Sequence, residues 1–149
     1  MIREDKFYEN NYHKTAMATL IALGEKKFET RSWQTKHRGP LAIHAGKQID
    51  KEACDYLPIK QALHKHGIES YKDLHTAVVL AVVDLIDCHK VPNEISSAGV
   101  EFEKKLEGDE VYFGDYDEGR YAWELANLQV LPEPIPAKGK LNLWEWNKE

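Results

Sequence analysis

The sequence predicts an α+β fold, mainly β: a small β-barrel decorated with two or three helices. Three observations carry this expectation. The run from Thr76 to Cys88 is rich in Val and Ile without helical periodicity, so it reads as a long strand buried on much of both faces. Gly119 to Leu131 alternates, with Tyr121, Trp123 and Leu125 on one side and Ala122, Glu124 and Ala126 on the other. The helical patterns fall early, and no helix separates the later strands. Non-local strand pairing in a barrel therefore suits the chain better than a βαβ sheet.

Residues 1–10 are polar and are expected to be poorly ordered. Asn10 or Asn11 caps a helix whose apolar stripe is Ala16, Met17, Leu20, Ile21 and Leu23, and Gly24 stops it. A first strand follows, in which Lys27, Glu29, Arg31 and Trp33 point one way and Phe28, Thr30 and Ser32 the other. Gly39-Pro40 marks a turn, and Leu41 to Ala45 is the second strand. Asp50 caps a helix running to about Lys65, with Ala53, Cys54, Leu57, Ile59 and Leu63 on its inner face. Ile68 to Leu74 is a connection or short helix. Asp84 and Asp87 interrupt the long strand, where charges belong at an end or in a pair. Val111 to Gly114 reads as a short extended piece. Pro132, Pro134 and Pro136 impose an extended connection, and Leu141 to Trp146 is a final strand.

A chain of 149 residues buries one core without metal or disulfide staples, so residues 1–149 are read as a single domain. With 42% hydrophobic and 30% charged residues it is globular. The net charge of −5 lacks the basic excess of a nonspecific nucleic-acid binder, but its distribution is uneven. From Gly24 to Lys47 six Lys/Arg face two acids, a local +4 that leaves −9 for the rest; from Glu94 to Glu118 nine acids face Lys104 and Lys105. Such asymmetry focuses an anionic ligand on one patch. Cys54 and Cys88 form no metal-ligand or redox motif and read as reduced thiols. With neither a signal peptide nor an apolar run of about 18 residues, a cytoplasmic location away from membranes is expected.

Walker, dinucleotide, zincin and nucleophile-elbow patterns are absent, and the scattered histidines, His64 and His66 included, offer no ligand spacing. No cofactor and no metal site are expected. The promising set joins Lys26, Glu29, Arg31 and Trp33 with Tyr121, Trp123 or Trp144 from later strands. Cations hold an anion or a base carbonyl, the carboxylate accepts from an exocyclic amine or moves a proton, and an aromatic ring stacks. A single-stranded base or modified nucleoside fits that set. His44 is either part of it or a buried, satisfied histidine.

The same residues carry a family resemblance. Gly24, Lys26, Glu29, Arg31 and Trp33, followed by Thr35, Arg38, Gly39, Pro40, Leu41, Ile43, His44 and Ala45, spell a pattern that resembles the ASCH domain family, and the likeness extends over roughly Met17 to Trp146. The resemblance implies a PUA-like pseudo-β-barrel with a cleft lined by the motif, binding RNA or nucleoside-like ligands. Some members are enzymes, among them an amidohydrolase acting on N4-acetylcytidine and a ribonuclease. This chain departs from the amidohydrolase pattern: three residues after the motif Lys, where that pattern has a nucleophilic Thr, stands Glu29. Thr30 is the nearest hydroxyl, on the opposite face by alternation. The Pro-Trp that ends an initial strand in many members is replaced by Tyr8 to Tyr12.

Two functions are therefore expected in competition. In the first, the domain binds RNA or a nucleotide through Lys26, Glu29, Arg31, Trp33, Arg38, His44, Lys47 and Tyr121, with Trp33 or Tyr121 as the stacking platform. In the second it is a hydrolase of a modified nucleoside or RNA, with Glu29 as general base and Lys26 and Arg31 stabilising the developing anion. The segment from Glu94 to Glu118 is either a grip for a basic protein partner or a solvated loop.

Overall fold

The computed structural model describes residues 4–8, 14–137 and 144–147. Strand β1 (Glu4–Tyr8) lies where the sequence offered no element. Asn10 and Asn11 fall outside the described residues. Helix α1 (Lys14–Ala22) ends at Gly24, whose φ of +79° takes the left-handed conformation that a helix terminus of this type needs. The N–H groups of Gly24 and Glu25 donate to the carbonyls of Ile21 and Leu20, so the last helical acceptors are satisfied.

Strands β2 (Phe28–Arg31) and β3 (Gly39–Ala45) follow. The helix read between Asp50 and Lys65 is two helices, α2 (Lys51–Asp55) and α3 (Leu57–Lys65). Pro58 causes the break: it lacks an N–H, and its ring would collide with the carbonyl four residues back. Tyr56 therefore stays extended, with ψ near 123°. The break also rotates Leu57 out of its expected inner position to 61% exposure. Asp50 caps α2 by accepting from the Ala53 N–H at 3.1 Å, as read from the sequence.

Strand β4 (Val78–Lys90) covers the Val/Ile-rich run, and Val79 to Val83 are all buried. The acidic segment, instead of forming a solvated loop, folds into helix α4 (Ser97–Glu103) and a 3₁₀ turn over Glu110–Phe113. The extended piece expected at Val111 to Gly114 is thus helical. Its turn is stitched by the Tyr112 N–H donating to the Asp109 carbonyl.

Strand β5 (Tyr121–Pro136) runs straight through the three prolines instead of stopping at Leu131. The Ala137 N–H donates to the Ala77 carbonyl, so by alternation Pro132, Pro134 and Pro136 turn their missing donors to the other edge. Strand β6 (Trp144–Asn147) closes the order; residues 141–143 of the expected final strand lie outside the described residues.

The strands form one sheet in the order β2-β5-β4-β3-β1-β6. Its pairings are antiparallel except β1 with β3, which is parallel. Three register shifts between β4 and β5 coil this long antiparallel pair, since each bulge adds local twist. The fold is α+β and mainly β, as the sequence predicts.

Helix α1 separates two cores. Ala18 and Ile21 pack on the sheet against Leu41, Ile43, Val83, Trp123 and Leu125. Its other side, Ala16, Met17 and Leu20, meets Ile59 and Leu63 of α3 and Phe113 of the 3₁₀ turn. It is therefore buried on more faces than its expected stripe, Thr15 and Thr19 included. On the sheet's far face Phe28, Val91 and Ala122 are covered by Phe102 of α4. No helix among the described residues is long and apolar enough to cross a membrane.

Candidate nucleic-acid interface

The turn after α1 drives Lys26 inward. Its side chain is 2% exposed, and Nζ donates to the Phe113 carbonyl at 2.6 Å. Glu29 is equally buried, with Oε1 accepting from the Thr30 N–H at 3.2 Å. The third buried charge is Glu110, whose Oε1 accepts from the Lys27 N–H at 2.7 Å. Burial pushes the Glu110 carboxyl above its ordinary range and nearby Glu29 adds to this, while the Lys26 ammonium and the N–H groups of Lys27 and Phe28 pull the other way. The Tyr116 hydroxyl is raised for the same first reason, burial, and then by Glu110 and Glu29. Buried charge must be compensated, and the Lys26 ammonium does this for the Glu110 carboxylate.

This cluster clamps the acidic segment onto β2. A further tie is the Asp115 N–H donating to Thr30 Oγ1 at 3.0 Å. The sequence reading missed Glu110 altogether. Its one signal is its place beside apolar Val111 and Phe113 in an otherwise charged run.

Strand register assembles a second feature. Arg31 of β2 lies opposite Tyr121 of β5, and Tyr121 lies opposite Lys90 of β4. Directly opposed residues share a sheet face, so the three side chains form a cation, aromatic, cation row. One step along, the next row contains Glu29, Trp123 and Cys88. Trp33 stands edge-on to the fully buried Trp123, with ring centroids 4.9 Å apart at 83°, and its carbonyl accepts from Trp123 Nε1 at 3.4 Å.

The loop from Ser32 to Arg38 continues this end of the sheet. Buried Thr35 accepts from the His37 N–H, and Arg38 Nη1 donates to the carbonyls of Thr35 and His37 at 3.1 and 2.8 Å. Arg38 Nη2 also reaches Asp87 Oδ1 at 3.9 Å.

Of the residues expected in one cleft, Arg31, Trp33, Arg38 and Tyr121 thus gather at one end of the sheet. Lys26 and Glu29 lie buried beneath it. His44 and Lys47 belong to the opposite end, because β3 separates Lys47 from Arg38 by about 20 Å at 3.3 Å per residue. His44 is buried with Nε2 2.7 Å from the Ala137 carbonyl, and Lys47 is exposed beyond the strand. Lys90 joins the row unanticipated, since its neighbour depends on the bulges between β4 and β5.

Two cavities flank the motif. One of about 430 Å³ is lined by Ile21, Lys26, Val83, Leu125, Asn127 and Leu128. Another of about 600 Å³, between the turn after α1 and the acidic segment, is lined by Lys27, Lys65, Lys105, Glu107, Glu110 and Glu124 among others. Both fall within the size range of small-molecule sites.

Comparison with known proteins agrees with the motif. The family model described as the ASCH domain matches residues 13–135. Activating signal cointegrator 1 from Homo sapiens is 26% identical over 130 residues, and the protein of that name from Mus musculus is 27% identical over the same length. In each case the match covers 86% of this chain and 20% of the relative, so the chain spans about a fifth of their length.

Proposed function

The chain belongs to the ASCH domain family, which is PUA-like and linked to RNA binding, and from that premise we propose that it binds single-stranded RNA or a nucleotide-like ligand on the row formed by Arg31, Tyr121 and Lys90. The observation that carries this reading is the register of three adjacent strands, which sets an aromatic ring between two cations. A base stacks on Tyr121 or on the half-buried Trp33, and the flanking phosphates meet Arg31, Lys90 and Arg38. Lys26 and Glu29 serve this surface from below. They hold β2 and the acidic segment in place, and the 430 Å³ cavity beside Lys26 is the place for a free nucleoside.

The hydrolase alternative has less support. Glu29 is sealed from solvent and already accepts a backbone N–H, whereas a general base needs reach to a substrate proton or water. Turnover of acylated or methylated nucleosides that disappears in Glu29→Gln would restore it.

The binding reading is tested by fluorescence anisotropy with a short labelled single-stranded RNA across a salt series. Arg31→Ala with Lys90→Ala is expected to weaken binding and to lower the slope of log K against log salt by about 1.4, at about 0.7 per phosphate contact. Tyr121→Ala is expected to cost about 1–3 kcal/mol through lost stacking. Unchanged affinity and slope in the double variant, or absence of binding by the wild type at low salt, refutes the assignment.

A further inference from the structure

We propose that Asp87, His89 and Glu124, on the sheet face covered by α4, form a binding site for a divalent transition-metal ion of the zinc or manganese class. The three residues come together only through the pairing of β4 with β5, which sets Asp87 directly opposite Glu124. His89 lies two residues along on the same face. One ligand atom from each, an imidazole nitrogen and two carboxylate oxygens, lies within 4.8 Å of the others. His89 Nε2 is 2.6 Å from Glu124 Oε1 and 3.7 Å from Asp87 Oδ2. Ligand atoms at about 2.1 Å from one ion stand about 3.0–3.4 Å apart, so the His89–Glu124 distance must open and the His89–Asp87 distance close by under about 1 Å, while the two carboxylate oxygens, within 4.8 Å of the others, close by up to about 1.8 Å through side-chain rotation.

The surroundings orient the donors as metal sites require. Asp87 Oδ1, the oxygen turned from His89, accepts from the Cys88 N–H at 2.7 Å and faces Arg38 at 3.9 Å, which leaves Oδ2 aimed at the imidazole. The His89 ring is fixed between Phe28 and Phe102, with centroids 6.3 and 6.0 Å away. Asp87 is exposed, so coordination positions beyond the three protein ligands open to water or a small ligand on its side. Two carboxylates directly opposed across neighbouring strands repel each other. A divalent cation removes this repulsion. The imidazole donor favours a transition-metal ion over Mg²⁺ or Ca²⁺, which take oxygen ligands.

The test is isothermal titration of the untagged 149-residue chain with Zn²⁺ and, separately, Mn²⁺, with thermal unfolding recorded in parallel. Saturable binding of one ion per chain is expected, accompanied by a rise in Tm. His89→Ala and, as a second variant, Glu124→Gln are each expected to weaken binding at least tenfold. His75→Ala, which removes an exposed histidine just before the start of β4, the end of that strand opposite Asp87 and His89, is expected to leave binding unchanged. Circular dichroism of each apo variant establishes that it is folded before titration. Absence of saturable binding, or affinity retained in folded His89→Ala and Glu124→Gln, overturns the proposal.

Discussion

Lys26→Met isolates the buried ionic cluster, because Met retains the aliphatic stem while deleting the ammonium. In the wild type that ammonium donates to the Phe113 carbonyl and faces Glu110, with Glu29 buried nearby. Removing one partner of a buried ionic pair leaves uncompensated charge and costs about 3–5 kcal/mol. For a chain of this size, at about 2–4 °C per kcal/mol, Tm falls by roughly 6–20 °C. The loss also depends on pH. Glu110 has a folded-state carboxyl raised by burial, so the folded protein holds that proton more tightly than the unfolded chain. Its stabilising contribution is complete below the unfolded value of 4.5 and disappears as pH rises through the folded value. Lys26 opposes the upward shift, so without it the folded value climbs further and the window widens. Urea unfolding at pH 5 and pH 8 should therefore show a larger deficit for Lys26→Met at pH 8. Adding Glu110→Gln, which keeps an acceptor for the Lys27 N–H, should recover part of it. An equal deficit at both pH values, with no recovery in the double variant, would refute the coupling of Lys26 to Glu110.

Two further substitutions probe the packing that supports the site. Trp123→Ala empties a fully buried position and removes the edge-on partner of Trp33; a loss of about 3–5 kcal/mol in chemical denaturation is expected, and a loss below about 1 kcal/mol would show that the row is not supported from this core. Gly99→Ala drives a Cβ into the Asn93 carbonyl oxygen and places it 2.7 Å from Glu94 Cα, both backbone atoms that cannot rotate away. α4 must move away from the turn that leads into it, so a loss of about 1–3 kcal/mol is expected by thermal unfolding, and wild-type stability would contradict the close approach of Gly99 to that turn.

Where a residue's fate depended on its chain neighbours, the sequence was a good guide. Gly24 ends α1 and Asp50 caps α2 because caps and left-handed turns are local chemistry. The Thr76 to Cys88 run is a strand because its apolar residues suit a surface buried on both faces. Pro58 splits the helix expected from Asp50 to Lys65, a local effect that the apolar spacing on either side of it masks. The alternation in β2 was legible, while the destinations of its two faces were not: Glu29 shares the face of Trp123, and Thr30 meets Asp115.

Composition marked Gly24 to Lys47 as basic and Glu94 to Glu118 as acidic, and the motif within the first identified the family. Only the tertiary structure decided that these segments meet, with Lys26 and Glu110 buried together under the 3₁₀ turn. It likewise decided that Arg31, Tyr121 and Lys90 form one row while His44 and Lys47 stand at the far end. The physical reason is that pairing register in a bulged sheet is set by the whole pattern of core burial and by where each bulge falls, and a displacement of one residue turns every side chain to the other face.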